Sequence, residues 1–158
     1  MILSDGEIIK KSKKKKTPLI EPFNEKCVTP NGYDLRIERM EIDDKKVSAT
    51  NGGTLLIPPN TGFAVLTQEK VTMPSNVMAR MNIKTKYARM GIVLSPGAID
   101  AGFIGQLNLF FHNLEGKTVE IKDKATIAQI VFEKMDHRAK QLYAKRSGNY
   151  QNQDKIIK

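Results

Sequence analysis

The sequence predicts an all-β protein, a mostly antiparallel barrel or sandwich with one or two short helices. Pro and Gly recur at short intervals along the chain, and between them lie runs of five to nine residues rich in Val, Ile, Leu and Phe. That spacing is typical of many short strands joined by turns, which close into a barrel or sandwich. The chain has 158 residues, of which 40% are hydrophobic, enough for one domain with a sizeable core.

Seven segments have the composition of strands: residues 33–41, 54–57, 63–67, 77–83, 106–112, 117–121 and 125–132. The segment 106–112 alternates strictly, which defines its two faces. One face holds Leu107, Leu109 and Phe111 and is predicted to be core. The opposite face is polar except for Phe110.

Two helices and a C-terminal arm complete the prediction. The first helix follows Ser4 or Asp5, either of which can cap free backbone N–H groups. The second covers residues 85–90 and ends at Gly91. Residues 143–158 are polar and weakly periodic, so we expect a mobile arm after a barrel domain of residues 1–142.

The positive charge is local. The formal net charge is +9, and six lysines fall between residues 10 and 16. Aromatic residues make up only 6% and Trp is absent, whereas nucleic-acid binders often interleave aromatics with spread basic residues. We interpret the lysine run as a solvated loop, with weak nucleic-acid contact as a minor alternative, and expect no nucleic-acid partner.

Other classes are disfavoured by what the sequence lacks. No apolar run approaches the roughly 20 residues of a membrane span, and the first residues lack a signal peptide's apolar stretch. Cys27 is the one cysteine, so no internal disulfide forms. His112 and His137 are too isolated for a metal cluster or a nucleophile relay. We therefore expect a cytoplasmic protein without a membrane partner.

Three segments can carry chemistry. Residues 97–105 are predicted to form a Gly-rich turn that contains one acidic residue. The exposed main chain of such a turn can bind the hydrogen-bonding edge of a pyrimidine. The alternative is an ordinary hairpin with a solvated Asp. Residues 84–89 place cations and a hydroxyl group at the predicted start of a helix, an arrangement that favours phosphate binding. The alternative is a basic turn on the surface. Residues 145–153 mix cations, amides and a ring, a pattern more often found in disordered tails.

Together and in this order, these segments resemble the superfamily of dUTP diphosphatases (dUTPases) and dCTP deaminases over nearly the whole chain. The deaminase branch is matched by residues 1–5, by Tyr-Asp-Leu-Arg at 33–36, by residues 87–92 and by the tail from Tyr143 to Gln153. Residues 92–105 are similar to the signature that both branches share, and Ala128-Gln129 to a downstream one.

The resemblance implies a distorted antiparallel β barrel, a dUTPase-like jelly roll. It also implies a homotrimer with active sites between subunits, and pyrimidine deoxynucleoside triphosphates as ligands. In deaminases a Glu on the strand after the turn moves the protons. Counting without gaps from Ile99-Asp100 puts Phe110 at that position, and a phenyl ring cannot relay a proton. The resemblance therefore favours dUTP diphosphatase, which converts dUTP and water to dUMP and pyrophosphate.

The resemblance also implies roles for single residues. Asp100 matches the carboxylate that orients and deprotonates water, with Arg89 as the second catalytic residue. Asp34 matches an acid that contacts Mg²⁺ through its water shell. Lys84 and Lys86 depart from the Arg and Ser of the family's phosphate segment. The expected substrate-binding residues are Lys84, Thr85, Lys86, Ala98, Ile99, Phe103 (beneath the deoxyribose), Phe110, Gln129, Tyr143, Lys145, Tyr150 and Gln153.

Two alternatives stay open from the sequence. One is a dCTP deaminase, or a bifunctional enzyme that makes dUMP from dCTP, using an acid other than the missing Glu. The other is a regulatory protein that holds dUTP or dTTP without hydrolysis, although the presence of both Asp34 and Asp100 argues against it.

Overall fold

The computed structural model describes residues 1–95 and 97–157, and it confirms the all-β class. Pro96, a predicted turn position, and Lys158, the end of the predicted arm, lie outside the described residues. The strands are β1 (Ile20–Glu21), β2 (Val28–Thr29), β3 (Gly32–Ile42), β4 (Lys45–Lys46), β5 (Thr54–Ile57), β6 (Gly62–Thr72), β7 (Val77–Ile83), β8 (Ile92–Ser95), β9 (Ala98–Ile99), β10 (Ile104–Asn113), β11 (Val119–Lys122) and β12 (Thr126–Lys134). The helices are α1 (Asp5–Ser12), α2 (Thr85–Ala88) and α3 (Tyr143–Arg146).

The main sheet is antiparallel and curled, with the strand order β8-β10-β6-β3-β12-β7-β9. Strands β1, β2 and β4 pair along its sides, and β5 pairs with β11 separately. The two ends of the order, β8 and β9, are separated in the chain only by residues 96 and 97. The sheet must therefore curl until its ends approach each other, which leaves a seam between β10 and the β7–β9 edge.

The core lies inside the curl. Leu107, Leu109 and Phe111 are buried, as the alternation in β10 predicts. The Phe111 ring stacks on Phe63 with centroids 5.2 Å apart. Each such side chain contributes about 1.5–3 kcal/mol when fully buried, so the inner face of β10 is a large part of the folding free energy.

Strand β6 is five residues longer at its C-terminal end than the predicted segment 63–67. The sequence does not indicate the full length of β6, because the residues after Thr67 are mostly polar. One of them, Glu69, is nevertheless fully buried. Its carboxylate accepts hydrogen bonds from Arg36 Nε at 2.6 Å and from the Arg36 backbone N–H at 2.8 Å. A long-range partner therefore stabilises a buried charge that no local pattern predicts.

The helices also differ in detail from the prediction. The first begins at Asp5, but the Ser4 side chain makes no capping hydrogen bond; the Asp5 carboxylate accepts from the Gly6 N–H instead. The second ends at Ala88. The Arg89 N–H still donates four residues back to the Thr85 carbonyl, but the Met90 and Gly91 N–H groups donate three residues back, to the carbonyls of Tyr87 and Ala88. In the described part of the chain no helix has the length and apolar character to cross a membrane.

Candidate functional site

A pocket of about 300 Å³ lies at the seam of the sheet. Its walls come from β7, β9, the turn that follows β9, β10 and the C-terminal arm. Eight predicted site residues line it: Ala98, Ile99, Asp100, Phe103, Phe110, Tyr143, Tyr150 and Gln153. The sequence interpretation missed Met81, Leu107, Asn108 and Ile157, which also line it. The volume and the mostly apolar lining are typical of a small-molecule pocket.

Asp100 begins a tight turn that ends at Phe103. The Phe103 N–H donates to the Asp100 carbonyl oxygen at 3.1 Å, and Gly102 has φ +86°. This is the third position of a type II turn, which requires glycine. Met73 anchors the turn, since it accepts from the Gly102 N–H and donates its own N–H to the Phe103 carbonyl. The backbone at Asp100 is thus held firmly, and the residue itself is exposed to solvent.

Two phenyl rings face the pocket. Phe103 is buried and meets the Tyr143 ring edge-on, with centroids 5.5 Å apart and an interplanar angle of 74°. Phe110 is half-buried on the same face of β10 as Asn108. Among the described residues that line the pocket, Asp100 is the only acidic one. Within the described part of one chain, Asp100 is therefore the one carboxylate of the pocket lining that could carry a proton.

The arm docks along β10, where β8 leaves the strand edge open. Among the described residues, β8 pairs with residues 110–113 of β10. Near the N-terminal end of β10, Gln153 pairs in parallel with Gly105. The Gln153 carbonyl oxygen accepts a hydrogen bond from the Gln106 N–H at 2.8 Å. The Asn152 N–H donates to the Ile104 carbonyl at 2.7 Å. These main-chain bonds bring Tyr150 and Gln153 to the pocket, whereas Lys145 is exposed on α3 and does not line it.

A second polar cluster lies on strands β3 and β12. Lys84 donates through Nζ to the Asp34 carboxylate and to Thr126 Oγ1, the latter at 2.9 Å. Gln129 lies directly opposite Asp34 on the neighbouring strand, and its Nε2 donates to Thr29 Oγ1 at 2.9 Å. This cluster places one carboxylate and one ammonium group side by side on the sheet.

The remaining predicted residues surround the short helix α2. Thr85 and Lys86 occupy its first positions, and Lys86 Nζ lies 5.4 Å from the centroid of the Tyr87 ring. Arg89 follows the helix and is exposed. None of these residues lines the Asp100 pocket, nor do Asp34, Lys84 and Gln129. Within one chain, the predicted site is therefore divided into the pocket and the Asp34–Lys84 cluster.

The described residues do not build a metal site of their own. Among them no group of three or more His, Cys, Asp or Glu side chains is arranged to hold a metal ion. Asp34 is already paired with Lys84. A Mg²⁺ ion at Asp34 would have to bring most of its ligands with it, as an ion bound to a triphosphate does.

The lysine run is exposed apart from the half-buried Lys11 and partly neutralised by nearby acids. Lys10 and Lys11, in the last turn of α1, lie 3.9 and 3.7 Å from the Glu7 carboxylate, and Lys13 lies 2.9 Å from that of Glu25. Exposed pairs of this kind contribute little to stability. The run is thus a mostly solvated surface, and none of its lysines lines the pocket.

Comparisons with known proteins agree on one family. A family model described as dCTP deaminase-like matches residues 2–135. The dCTP deaminase of Pyrococcus horikoshii is 35% identical over 158 residues, which cover 99% of this chain and 96% of the relative.

Two solved structures share the fold. The 2'-deoxycytidine 5'-triphosphate deaminase from Agrobacterium tumefaciens superposes with a TM-score of 0.71 at 17% identity, over 86% of this chain and about half, 49%, of that chain. A mutant dUTPase of Staphylococcus bacteriophage 80alpha with dUpNHpp superposes with a TM-score of 0.53 at 14% identity, over 77% of this chain and 93% of that one. At these identities the likeness concerns the fold alone.

Proposed function

Since this chain belongs to the dCTP deaminase-like family, we propose that it is an enzyme acting on a pyrimidine deoxynucleoside triphosphate, and specifically a dUTP diphosphatase. One observation carries the choice of reaction. Phe110 lines the same pocket as Asp100, at the position where the resemblance to deaminases puts the proton-carrying Glu. A phenyl ring cannot exchange a proton, whereas water attack on a phosphorus atom needs only one carboxylate near the water.

In the proposed reaction Asp100 orients a water molecule and accepts one of its protons. The water oxygen forms a bond to the α-phosphorus, the bond from that phosphorus to the α,β-bridging oxygen breaks, and pyrophosphate leaves with the electron pair. Asp100 is exposed at the mouth of the pocket, so a water molecule can reach it. Cations beside the phosphates stabilise the charge that develops, the role proposed for Lys84, Lys86 and Arg89.

The pocket lining supports a base and a deoxyribose as ligands. The main chain at Ala98 and Ile99 offers donors and acceptors to the base. The buried Phe103 ring offers a flat apolar surface to the sugar and leaves little room for a 2′-hydroxyl. Tyr150 and Gln153 cover the opening from the arm. Ordering of such an arm on binding would exclude water from the reacting phosphate.

We further propose that a homotrimer completes the site. The Asp34–Lys84 cluster and the Asp100 pocket are separate within one chain, so a second copy would supply the cluster to the pocket. The substrate would be the Mg²⁺ complex of dUTP. Lys84 would then leave Asp34 for a phosphate, and the Asp34 carboxylate would face the water shell of the incoming ion.

A dCTP deaminase is the second candidate, because the full-length relative from Pyrococcus horikoshii carries that name at 35% identity. In this pocket the reaction would require Asp100 itself to move the protons at the cytosine ring. A protein that binds the nucleotide without turning it over is the third candidate.

One assay separates the three candidates. The purified chain is given dUTP, dCTP, dTTP or UTP with Mg²⁺, and pyrophosphate and ammonia are measured in parallel. We expect pyrophosphate from dUTP faster than from the other three, and no ammonia. Ammonia from dCTP would show the deaminase, and tight binding without either product would show the regulatory protein.

The role of Asp100 and the assembly are tested with two variants. Asp100→Asn should abolish turnover and leave nucleotide affinity within about tenfold, because the carboxylate acts mainly in the transition state. Lys84→Met should also be inactive. Mixing dissociated and reassociated subunits of the two variants should restore about a quarter of the sites if neighbouring copies share each site. No recovery in mixed assemblies would place both residues in a site within one chain.

A further inference from the structure

Asn108 lines the pocket and has a buried polar atom without a hydrogen-bond partner among the described residues. The residue lies on β10 two positions before Phe110, and the same face of the strand carries both side chains. Its Nδ2 donates to the Ile157 carbonyl oxygen at 2.8 Å. Its Oδ1 is buried and accepts no hydrogen bond from the described residues. A buried acceptor without a donor costs free energy, so the pocket is incomplete on this side.

The preceding polar side chain on this face, Gln106, uses both hydrogens of its amide group. Gln106 Nε2 donates to the Thr67 carbonyl oxygen at 2.9 Å and to the Glu38 carboxylate at 2.5 Å. Gln106 does not line the pocket, whereas Asn108 does. Of these two residues, Asn108 is therefore the one that lines the pocket and has a buried acceptor without a donor.

The amide of Asn108 is complementary to one edge of uracil. A carboxamide presents an acceptor beside a donor. Uracil presents the N3–H donor beside the O4 acceptor, so the two edges can form a pair of hydrogen bonds. Cytosine has an unprotonated N3 and an amino group at C4, so the same orientation of the amide sets acceptor against acceptor and donor against donor.

We propose that Asn108 reads the uracil base, accepting from N3–H at Oδ1 and donating from Nδ2 to O4. In the free chain the Ile157 carbonyl oxygen occupies the place of that O4. Asn108 is then a specificity residue of the site, and the end of the arm competes with the base for it. The inference rests on the proposed function, because a uracil nucleotide is its ligand.

Binding of dUMP, dCMP and the non-hydrolysable dUpNHpp to the full chain tests this by calorimetry. Asn108→Leu keeps the size of the side chain and removes both hydrogen bonds, so dUMP should bind about 10- to 50-fold more weakly. Asn108→Asp keeps an acceptor for N3–H but opposes O4 with a second oxygen, and it can accept from the amino group of cytosine. The dCMP-to-dUMP affinity ratio should therefore rise about tenfold. A purely structural role for Asn108 would lower both affinities equally.

His112→Leu is the matched control, because His112 is half-buried on the same face of β10 but does not line the pocket. It should leave the affinity for dUMP within about twofold of the original chain. A chain ending at Asp154 lacks Ile157 and should bind dUMP about threefold more tightly, since one competing hydrogen bond is gone. In the Asn108→Leu background the same truncation should give no gain.

The outcomes separate this inference from the proposed function. If the original chain binds uracil nucleotides and Asn108→Leu binds them equally well, the inference is overturned and the proposed function stands. If Asn108→Leu does not fold, the Asn108→Asp ratio and the truncation decide, and an unchanged ratio overturns the inference. If the original chain binds no uracil nucleotide, both are overturned.

Discussion

Removal of the Glu69 carboxylate is expected to be among the most damaging single changes in the barrel. Glu69 is 0% exposed, and its two oxygens accept from Arg36 Nε at 2.6 Å and from the Arg36 N–H at 2.8 Å. The Arg36 side chain is 20% exposed, and the acceptor left to it among the described residues would be the Pro22 carbonyl oxygen, at 3.1 Å. Glu69→Leu therefore leaves a mostly buried cation without its counter-charge.

The magnitude follows from this burial. Breaking a buried ion pair by removing one partner costs about 3–5 kcal/mol, a large part of the roughly 5–15 kcal/mol that stabilises an ordinary domain. For a chain of this length each kcal/mol lowers the melting temperature by about 2–4 °C, so we expect a decrease of about 6–20 °C. Glu69→Gln keeps one acceptor of the same size and should cost about half as much.

Urea unfolding at fixed protein concentration measures these changes. The double variant Arg36→Met with Glu69→Leu should be more stable than Glu69→Leu alone, because both charged groups are then absent. The coupling free energy in this cycle should be about 1–3 kcal/mol. If Glu69→Leu costs less than about 1 kcal/mol, or if the two changes add without coupling, the buried pair does not stabilise β3 against β6 as described.

Two further predictions concern the arm and the response to alkali. A Cβ at residue 105 would lie 2.9 Å from the Gln153 nitrogen and 3.0 Å from Phe103 Cζ. Gly105→Ala should therefore displace the arm, raise KM for the nucleotide and speed proteolysis of residues 148–157. The control is Gly116→Ala, whose new Cβ has no described atom within 4 Å apart from its chain neighbours, and it should change neither KM nor proteolysis. Equal behaviour of the two variants would contradict the docking of the arm. Burial raises the pKa of the Cys27 thiol and that of the Tyr33 phenol, so each group stays protonated to a higher pH in the folded chain than in the unfolded one. Their contribution to folding stability is intact below the unfolded pKa values of about 8.5 and 10 and is lost as pH rises above these values. The free energy of unfolding should therefore fall with pH in that range, and it should fall less steeply in Cys27→Ala. An unchanged slope in that variant would contradict the assignment.

The long strands could be predicted from the sequence because their patterns are local. The alternation in residues 106–112 predicted both faces of β10, and its inner residues are buried. The end of β6 could not be predicted, because Glu69 is buried against Arg36, which is distant in the sequence. The two-residue strands such as β9 also have too few residues to show any period.

Part of the pocket lining could be predicted for the same reason. Turn residues such as Asp100 and Phe103 stand out through the glycines around them. Asn108 and Ile157 do not, since they meet in the pocket only when the arm pairs with β10 through main-chain hydrogen bonds. The pairing of Lys84 with Asp34 is likewise a contact across strands, and the predicted roles of both residues stay predictions.

The position of the pocket at the seam links its width to the curvature of the whole sheet. No ladder joins β8 to β9 in the part of the chain that the structure describes, and only two residues tether these strands. Because the pocket lies at this seam, we expect a change in the curvature of the sheet to change the width of the pocket mouth. A substitution that stiffens strands on the far side of the sheet should then slow ligand exchange, although no residue of the pocket lining is changed.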